Sequence, residues 1–196
     1  MNAAILLLVM AIWGLVHSLL ASLAAKDAFR RWLGEGAMRL YRLGYNIFSA
    51  ISFLPILWLK LRLPDEPLYR LPAPWNFLMI AGQAAGLVLL IAAALQTDVL
   101  AFMGLRQVFE TPRPASLVKS GLYRRVRHPI YSAGLLILWL MPVMSVNTLV
   151  ICAGLSLYIL VGAWFEERKL LHEFGQEYEN YRQITPMLIP GLRAGK

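Results

Sequence analysis

Four long stretches without Asp, Glu, Lys or Arg dominate the chain, at residues 3–25, 43–59, 71–97 and 129–165. A helix that crosses a bilayer needs about 20 mostly apolar residues, within a range of about 17–25. The first stretch, of 23 residues, reads as a clear span. Only Met1 and Asn2 precede it. A cleaved leader carries a basic leading segment, so this helix is expected to stay as an anchor. The second stretch has 17 residues, with Pro55 near its end, and the third has 27. The third is expected to be helical only after Pro72 and Pro74. Gly82 and Gly86 give it a small-xxx-small spacing that admits a close neighbour.

The fourth stretch has 37 residues. As one helix it would extend about 55 Å at ~1.5 Å per residue, well beyond a hydrocarbon core of ~30 Å. It must fold back, and Met141-Pro142-Val143-Met144-Ser145-Val146-Asn147 marks the place. Pro142 cannot donate to a helix ladder, and Ser145 and Asn147 are good caps. Two helices are expected, at 130–141 and 147–165, joined as a tight hairpin. The first is short for a full crossing.

Lys and Arg then set the orientation. The segments that follow the first, third and fifth spans hold sixteen of them, against three between the second and third spans and none in the hairpin turn. The positive-inside rule places the heavy side in the cytoplasm. The expectation is an all-α integral membrane protein of about five spans, with its N-terminus outside and a cytoplasmic C-terminus, in a bacterial inner membrane. Composition agrees: 59% of residues are hydrophobic and 15% charged, against roughly 25% charged in soluble domains. The net charge of +8 needs no nucleic acid once it is read as basic loops on one membrane face. The single cysteine, Cys152, excludes a disulfide framework and any Cys-rich metal site, and reads as packing. The Pro-rich patches at 63–74 and 111–114 are too short for domain linkers, so residues 1–196 read as one domain.

Two clusters carry candidate chemistry. Residues 117–131 read LVKSGLYRRVRHPIY. Pro129 suits the first position of a helix and biases His128 away from helical geometry. His128 therefore stands at a helix mouth, behind Arg124, Arg125 and Arg127, where free N–H groups favour an anion. The arginines alone are accounted for by the positive-inside rule. The second cluster is Glu166-Glu167, at the end of the charge-free stretch, where two carboxylates beside lipid need partners. Leu170, Leu171, Phe174, Tyr178 and Tyr181 continue a helical stripe until Pro186, which gives a cytoplasmic amphipathic tail helix. No HExxH, CxxC or other metal spacing is present, and Gly34-Glu35-Gly36 stands alone. His17, mid-span, fits a helix–helix hydrogen bond as well as a functional role, and His172 is expected to face water.

These clusters form a pattern. Gly121-Leu-Tyr-Arg-Arg-Val-Arg-His-Pro-Ile-Tyr131 is followed by the helical hairpin, then by Glu166-Glu-x-x-Leu170-x-x-x-Phe174-Gly-x-x-Tyr178-x-x-Tyr181 and a final Pro. It resembles the isoprenylcysteine carboxyl methyltransferase superfamily of membrane methyltransferases. The resemblance is specific over residues 107–190. The stretch from Trp139 to Ser145, the ending Pro186-Met-Leu-Ile-Pro190 and His17-Ser18-Leu19-Leu20 look closest to its methanethiol S-methyltransferase and NnrU-like branch.

The resemblance implies S-adenosylmethionine as methyl donor, bound in a membrane-embedded site open to the cytoplasm. It implies donor contacts at Gln107, Ala115, Ser116, Leu117, Val118, Tyr123, His128, Pro129, Ile130, Tyr131 and Glu166. It names no catalytic residue and no metal. Carboxyl-methylating members carry an arginine four residues before the first glutamate; here that residue is Gly162. The favoured substrate is a small thiol or another lipid-soluble nucleophile. The alternatives are a phospholipid amine, a prenylcysteine carboxylate, or a non-enzymatic membrane subunit that retains the fold. A helix mouth suits the donor's carboxylate, Glu166 its ammonium, and Tyr123 or Tyr131 its sulfonium through a cation–π contact.

Overall fold

The computed structural model describes residues 2–110 and 116–192. Ala115, the patch at 111–114 and the last residues 193–196 lie outside them. In chain order the elements are α1 (Asn2–Ala21), α2 (Leu23–Arg62), β1 (Pro67–Arg70), α3 (Trp75–Leu95), α4 (Val99–Met103), α5 (Arg106–Phe109), a single 3-10 turn at Gly121–Arg124, α6 (Pro129–Trp139), β2 (Val143–Ser145), α7 (Val146–Phe174) and α8 (Gln176–Ile184). Helices α1, α2, α3 and α7 are long and apolar enough to cross a membrane. Their outward side chains agree with lipid as the solvent: Leu15, Leu61, Phe77, Val88 and Leu157 are all exposed. Such a surface in water would be an aggregation site.

The fourth of the five expected spans differs. Helix α6 has 11 residues, about 16 Å at ~1.5 Å per residue, roughly half a hydrocarbon core. The expected turn at Pro142 is instead a strand, β2, paired with β1 in a two-stranded sheet. Leu71 N–H donates to the Pro142 carbonyl (2.9 Å) and the Tyr69 hydroxyl to the Met141 carbonyl (3.1 Å). The pairing gives these backbone groups protein partners where the helix ends.

The chain divides into two compact units. The first comprises Met1–Glu66, Asp98–Pro114 and Ser145–Gly154. Its core holds Leu6, Met10, Ile56, Ile151 and Cys152, all buried. Trp13 Nε1 donates to Ser52 Oγ (3.0 Å), and His17 bonds the Tyr45 hydroxyl; both link α1 to α2, which settles His17 as a helix–helix contact. The basic stretch after α1 is helical, apart from Gly34 at φ 79°. Ser145 forms the expected cap, its Oγ accepting from Thr148 N–H (3.3 Å), whereas Asn147 lies within α7 and its N–H is instead taken by Asp65 (2.9 Å).

The second unit comprises Pro67–Thr97, Ala115–Met144 and Leu155–Lys196. Here α6 lies against α3 at the two glycines expected to admit a neighbour. A Cβ on Gly82 would collide with Leu140 Cδ1, and one on Gly86 would meet Ile137 Cγ1 at 2.9 Å. Gln83 Nε2 donates to the Ile137 carbonyl (3.1 Å) across the same contact. The expected continuous tail stripe is broken: α7 stops at Phe174, and Gly175, at φ 53°, turns the chain into α8. Glycine adopts that left-handed geometry at little cost. The turn brings Tyr178 and Tyr181 back over the end of α7, where both are buried.

Candidate functional site

The site lies within the second unit, where α6 begins, α7 ends and α8 folds back. Pro129 opens α6, and His128 precedes it at φ −123°, ψ 66°, outside helical geometry, as an X-Pro residue is expected to be. On α7 the glutamates lie past the charge-free stretch, which ends at Phe165. Adjacent residues on a helix point about 100° apart, and the two carboxylates meet different surroundings.

Glu167 faces inward. Its Oε1 accepts from Arg127 Nε (2.7 Å), His128 Nε2 (2.9 Å) and the Tyr178 hydroxyl (2.7 Å), and its Oε2 from Arg127 Nη2 (2.9 Å). The side chains of Arg127 and Glu167 are 10% and 11% exposed. A bidentate guanidinium–carboxylate pair with further donors is the form in which a charge pair tolerates burial. Arg127 Nη1 also donates to the Arg182 and Thr185 carbonyls (3.1 and 2.5 Å), which close the end of α8.

Glu166 is placed differently. The Tyr131 hydroxyl donates to its Oε2 (2.7 Å), and His128 Nδ1 lies 3.7 Å from the same oxygen. Its side chain is 43% exposed. Among the described residues no lysine or arginine pairs with it. The rings of His128 and Tyr131 stack, with centroids 5.3 Å apart and planes 15° from parallel.

The expected row of free N–H groups at the helix mouth is shorter than the sequence suggests. Arg127 N–H donates to the Pro186 carbonyl (2.9 Å) and His128 N–H to that of Met187 (3.1 Å). Ser132 Oγ donates to the Leu188 carbonyl (2.6 Å). The tail thus covers the approach to α6, and Pro129 has no N–H to offer. The N–H groups of Ile130 and Tyr131 stay open among the described residues, which is room for one anionic group.

Tyr123, in the turn before α6, accepts a bond at its carbonyl from the Tyr181 hydroxyl (2.5 Å). Burial, then the nearby Glu166 charge, pushes the Tyr123 hydroxyl up to about 12. Burial likewise pushes Tyr181 up to about 12. Tyr178 rises well above its ordinary value through burial and its bond to Glu167. At neutral pH these phenols keep their protons and act as donors, not bases.

Of the sequence-expected contacts, the structure brings Tyr123, His128, Pro129, Ile130, Tyr131 and Glu166 into one cluster. Val118 is half-buried in the segment leading to the turn, next to Lys119, which pairs with Glu177 of α8 at 2.6 Å. Gln107 falls in the first unit, where its Nε2 donates to the Ala101 carbonyl (3.0 Å). Arg124 and Arg125 are exposed, as the charge rule expects. Sequence reasoning missed the hydroxyl roles of Tyr178 and Tyr181, which read as members of an apolar stripe. The signal was tyrosine where phenylalanine would pack as well.

A mostly helical protein with four helices long and apolar enough to cross a membrane belongs to the class of membrane proteins. Comparison with known proteins gives this class a family. The model of the NnrU protein family matches residues 5–192, and the chain belongs to that family. It is similar to methanethiol S-methyltransferase 2 of Bradyrhizobium diazoefficiens, 31% identical over 194 residues, which cover 96% of this chain and 73% of that protein. It is similar to the methanethiol S-methyltransferase of Crocosphaera subtropica, 30% identical over 188 residues, or 89% of this chain and 71% of that one. The methanethiol S-methyltransferase of Mycobacterium tuberculosis is 27% identical over 197 residues, or 94% of this chain and 76% of that one. No solved structure matches.

Proposed function

We propose that this chain is an integral membrane methyltransferase that moves a methyl group from S-adenosylmethionine to a small thiol. Its relatives carry that class of activity in their names, and the site supplies groups that suit the donor. The observation that carries the reading is the division of the glutamate pair. Glu167 is neutralised by Arg127 and bonded by its other donors, whereas Glu166 has a tyrosine hydroxyl and, among the described residues, no lysine or arginine. A carboxylate left so at the edge of a buried cluster suits an ammonium.

The donor supplies an electrophilic methyl on a sulfonium centre. Glu166 holds its ammonium, the open N–H groups of Ile130 and Tyr131 hold its carboxylate, and the rings of Tyr123 and Tyr131 face its positive sulfur. Pro129 and His128 form the rim, with Val118 as an outer contact on the segment that leads to them. Catalysis of a methyl displacement rests on alignment and on exclusion of water. The tail that bonds Arg127, His128 and Ser132 serves the second purpose. A Cβ added at Gly162, one turn before Glu166, would meet nothing within 4 Å, which leaves a small neutral substrate unopposed by charge. In this reading α6 and the strand after it complete a fifth crossing, and the C-terminus, α8 and the site face the cytoplasm, where the donor is made.

Purified protein in nanodiscs is titrated with S-adenosylhomocysteine and then assayed for methyl transfer against an alkanethiol, a prenylcysteine and phosphatidylethanolamine. Binding together with transfer to the thiol is the expected result. Absence of binding refutes the reading, and transfer to the lipid amine or the carboxylate alone refutes its substrate class.

A further inference from the structure

The proposed reaction releases a proton, because a thiol reacts as its thiolate. The tyrosines that flank the site hold their protons, and Glu166 is committed to the donor. Histidine is the remaining group. Ionised Glu167 has only acceptor atoms, and its Oε1 lies 2.9 Å from His128 Nε2. In the neutral imidazole the proton therefore sits on Nε2. Four bonds fix the carboxylate: two from Arg127, one from Tyr178 and the one from His128. The ring is held from a second side by its stack on Tyr131. Nδ1 is left with a lone pair, on the side of the ring where Glu166 and Tyr131 lie.

Resting on the methyltransferase reading, we infer that His128 Nδ1 takes the proton of the thiol substrate and that Glu167, clamped by Arg127 and Tyr178, is the positioning residue that keeps that nitrogen free. The S–H bond breaks and its proton goes to Nδ1. The sulfur keeps the electron pair and forms the new S–CH3 bond. The methyl–sulfonium bond of the donor breaks with its pair left on the departing sulfur, and the imidazolium returns its proton to water. The imidazolium so formed is stabilised by Glu167 at 2.9 Å and faced by Glu166 at 3.7 Å. This is the logic of a carboxylate-held imidazole in acyl transfer, with its two nitrogens exchanged. The charged and titratable groups around the ring are Glu166 and Glu167 of α7, Tyr131 of α6, Arg127 on the approach and, through Glu167, Tyr178 of α8.

Two measurements on the full chain in nanodiscs test this. The first is nitrogen NMR of histidine-labelled protein saturated with S-adenosylhomocysteine. It should show His128 protonated on Nε2 in the wild type and a mixture of tautomers in Glu167→Gln. A wild type protonated on Nδ1 overturns the inference. The second compares turnover, at saturating donor, of an alkanethiol and of a nitrothiophenol that is already ionised at neutral pH. His128→Asn should slow the alkanethiol by about 10²–10⁴-fold, the usual worth of a positioned base, and the nitrothiophenol by less than 10-fold. Tyr178→Phe, which keeps the Arg127–Glu167 pair and so folds, should show the same selectivity at smaller size. Equal losses for both thiols in His128→Asn, beside an active wild type, overturn the role of His128 alone. A wild type that binds no S-adenosylhomocysteine and methylates neither thiol overturns the methyltransferase reading itself.

Discussion

Replacing Glu167 by Gln tests the physics of the cluster apart from any activity. The substitution keeps the volume and removes the charge. Arg127, 10% exposed, loses its counterion, and one carbonyl oxygen must serve donors that Glu167 met with two. Removing one partner of a buried ion pair costs about 3–5 kcal/mol. The lower end applies here, because Arg127 keeps its bonds to the Arg182 and Thr185 carbonyls and the glutamine oxygen still accepts. About 3 kcal/mol corresponds to a fall in Tm of about 6–12 °C for a chain of this size. Arg127→Met alone should cost a similar amount, because it strands the carboxylate. The double variant should cost little more than either single one, since neither charge is then left unpaired, and the cycle should give a coupling of about 2–3 kcal/mol. The assay is thermal unfolding in one detergent for all four proteins. Costs that add to within about 0.5 kcal/mol, or a Glu167→Gln variant within about 1 kcal/mol of the wild type, would refute the account of the cluster.

Glu166→Gln should do the opposite. Its side chain is 43% exposed and has no lysine or arginine partner among the described residues, so Tm should hold within about 2 °C, while affinity for S-adenosylhomocysteine falls about 10-fold, the low end for a charge-assisted contact near solvent. Unchanged affinity by calorimetry would remove Glu166 from the donor. Gly86→Leu should destabilise the protein by about 1–3 kcal/mol through overpacking against Ile137, whereas the same change at Gly36, which has open space around it, should be near neutral; thermal scans of both variants decide. Reporter fusions after Lys196 should be active only in their cytoplasmic form, from the sixteen-to-three distribution of Lys and Arg, and an external signal there would reverse the proposed topology.

Much of the fold was legible because lipid imposes a coarse rule. Runs of uncharged residues become helices, and α1, the second half of α2, α3 and the apolar part of α7 lie where the charge-free stretches put them. The legible part of the site was its punctuation: Pro129 at the head of α6, and two carboxylates where α7 passes its last apolar residue. What could not be read was set in part by contacts distant in sequence and in part by the conformation that single glycines adopt. The turn after α6 became a strand because β1, more than 70 residues earlier, supplies its partners. The basic stretch after α1 became helix because nothing in it breaks a helix except Gly34. The tail folded back because Gly175 takes a positive φ, a choice that the sequence permits but does not require.

The same fold-back explains why two neighbouring glutamates do unlike work. Had α7 continued straight through Tyr178 and Tyr181, Glu167 would have kept Arg127 and His128 but lost the Tyr178 hydroxyl and the cover of α8. The break at Gly175 instead carries the Tyr178 hydroxyl onto Glu167. It also places the carbonyls after α8 against the N–H groups of Arg127 and His128. One carboxylate is thereby buried and consumed in holding the histidine. The other, about 100° around the helix, stays 43% exposed and is the group proposed to meet the donor's ammonium. The tail uses the N–H groups of Arg127 and His128 before Pro129, and among the described residues it leaves the two after it open. Arg127 and His128 on one side and the fold-back at Gly175 on the other thus fix one glutamate of the pair and leave its neighbour exposed.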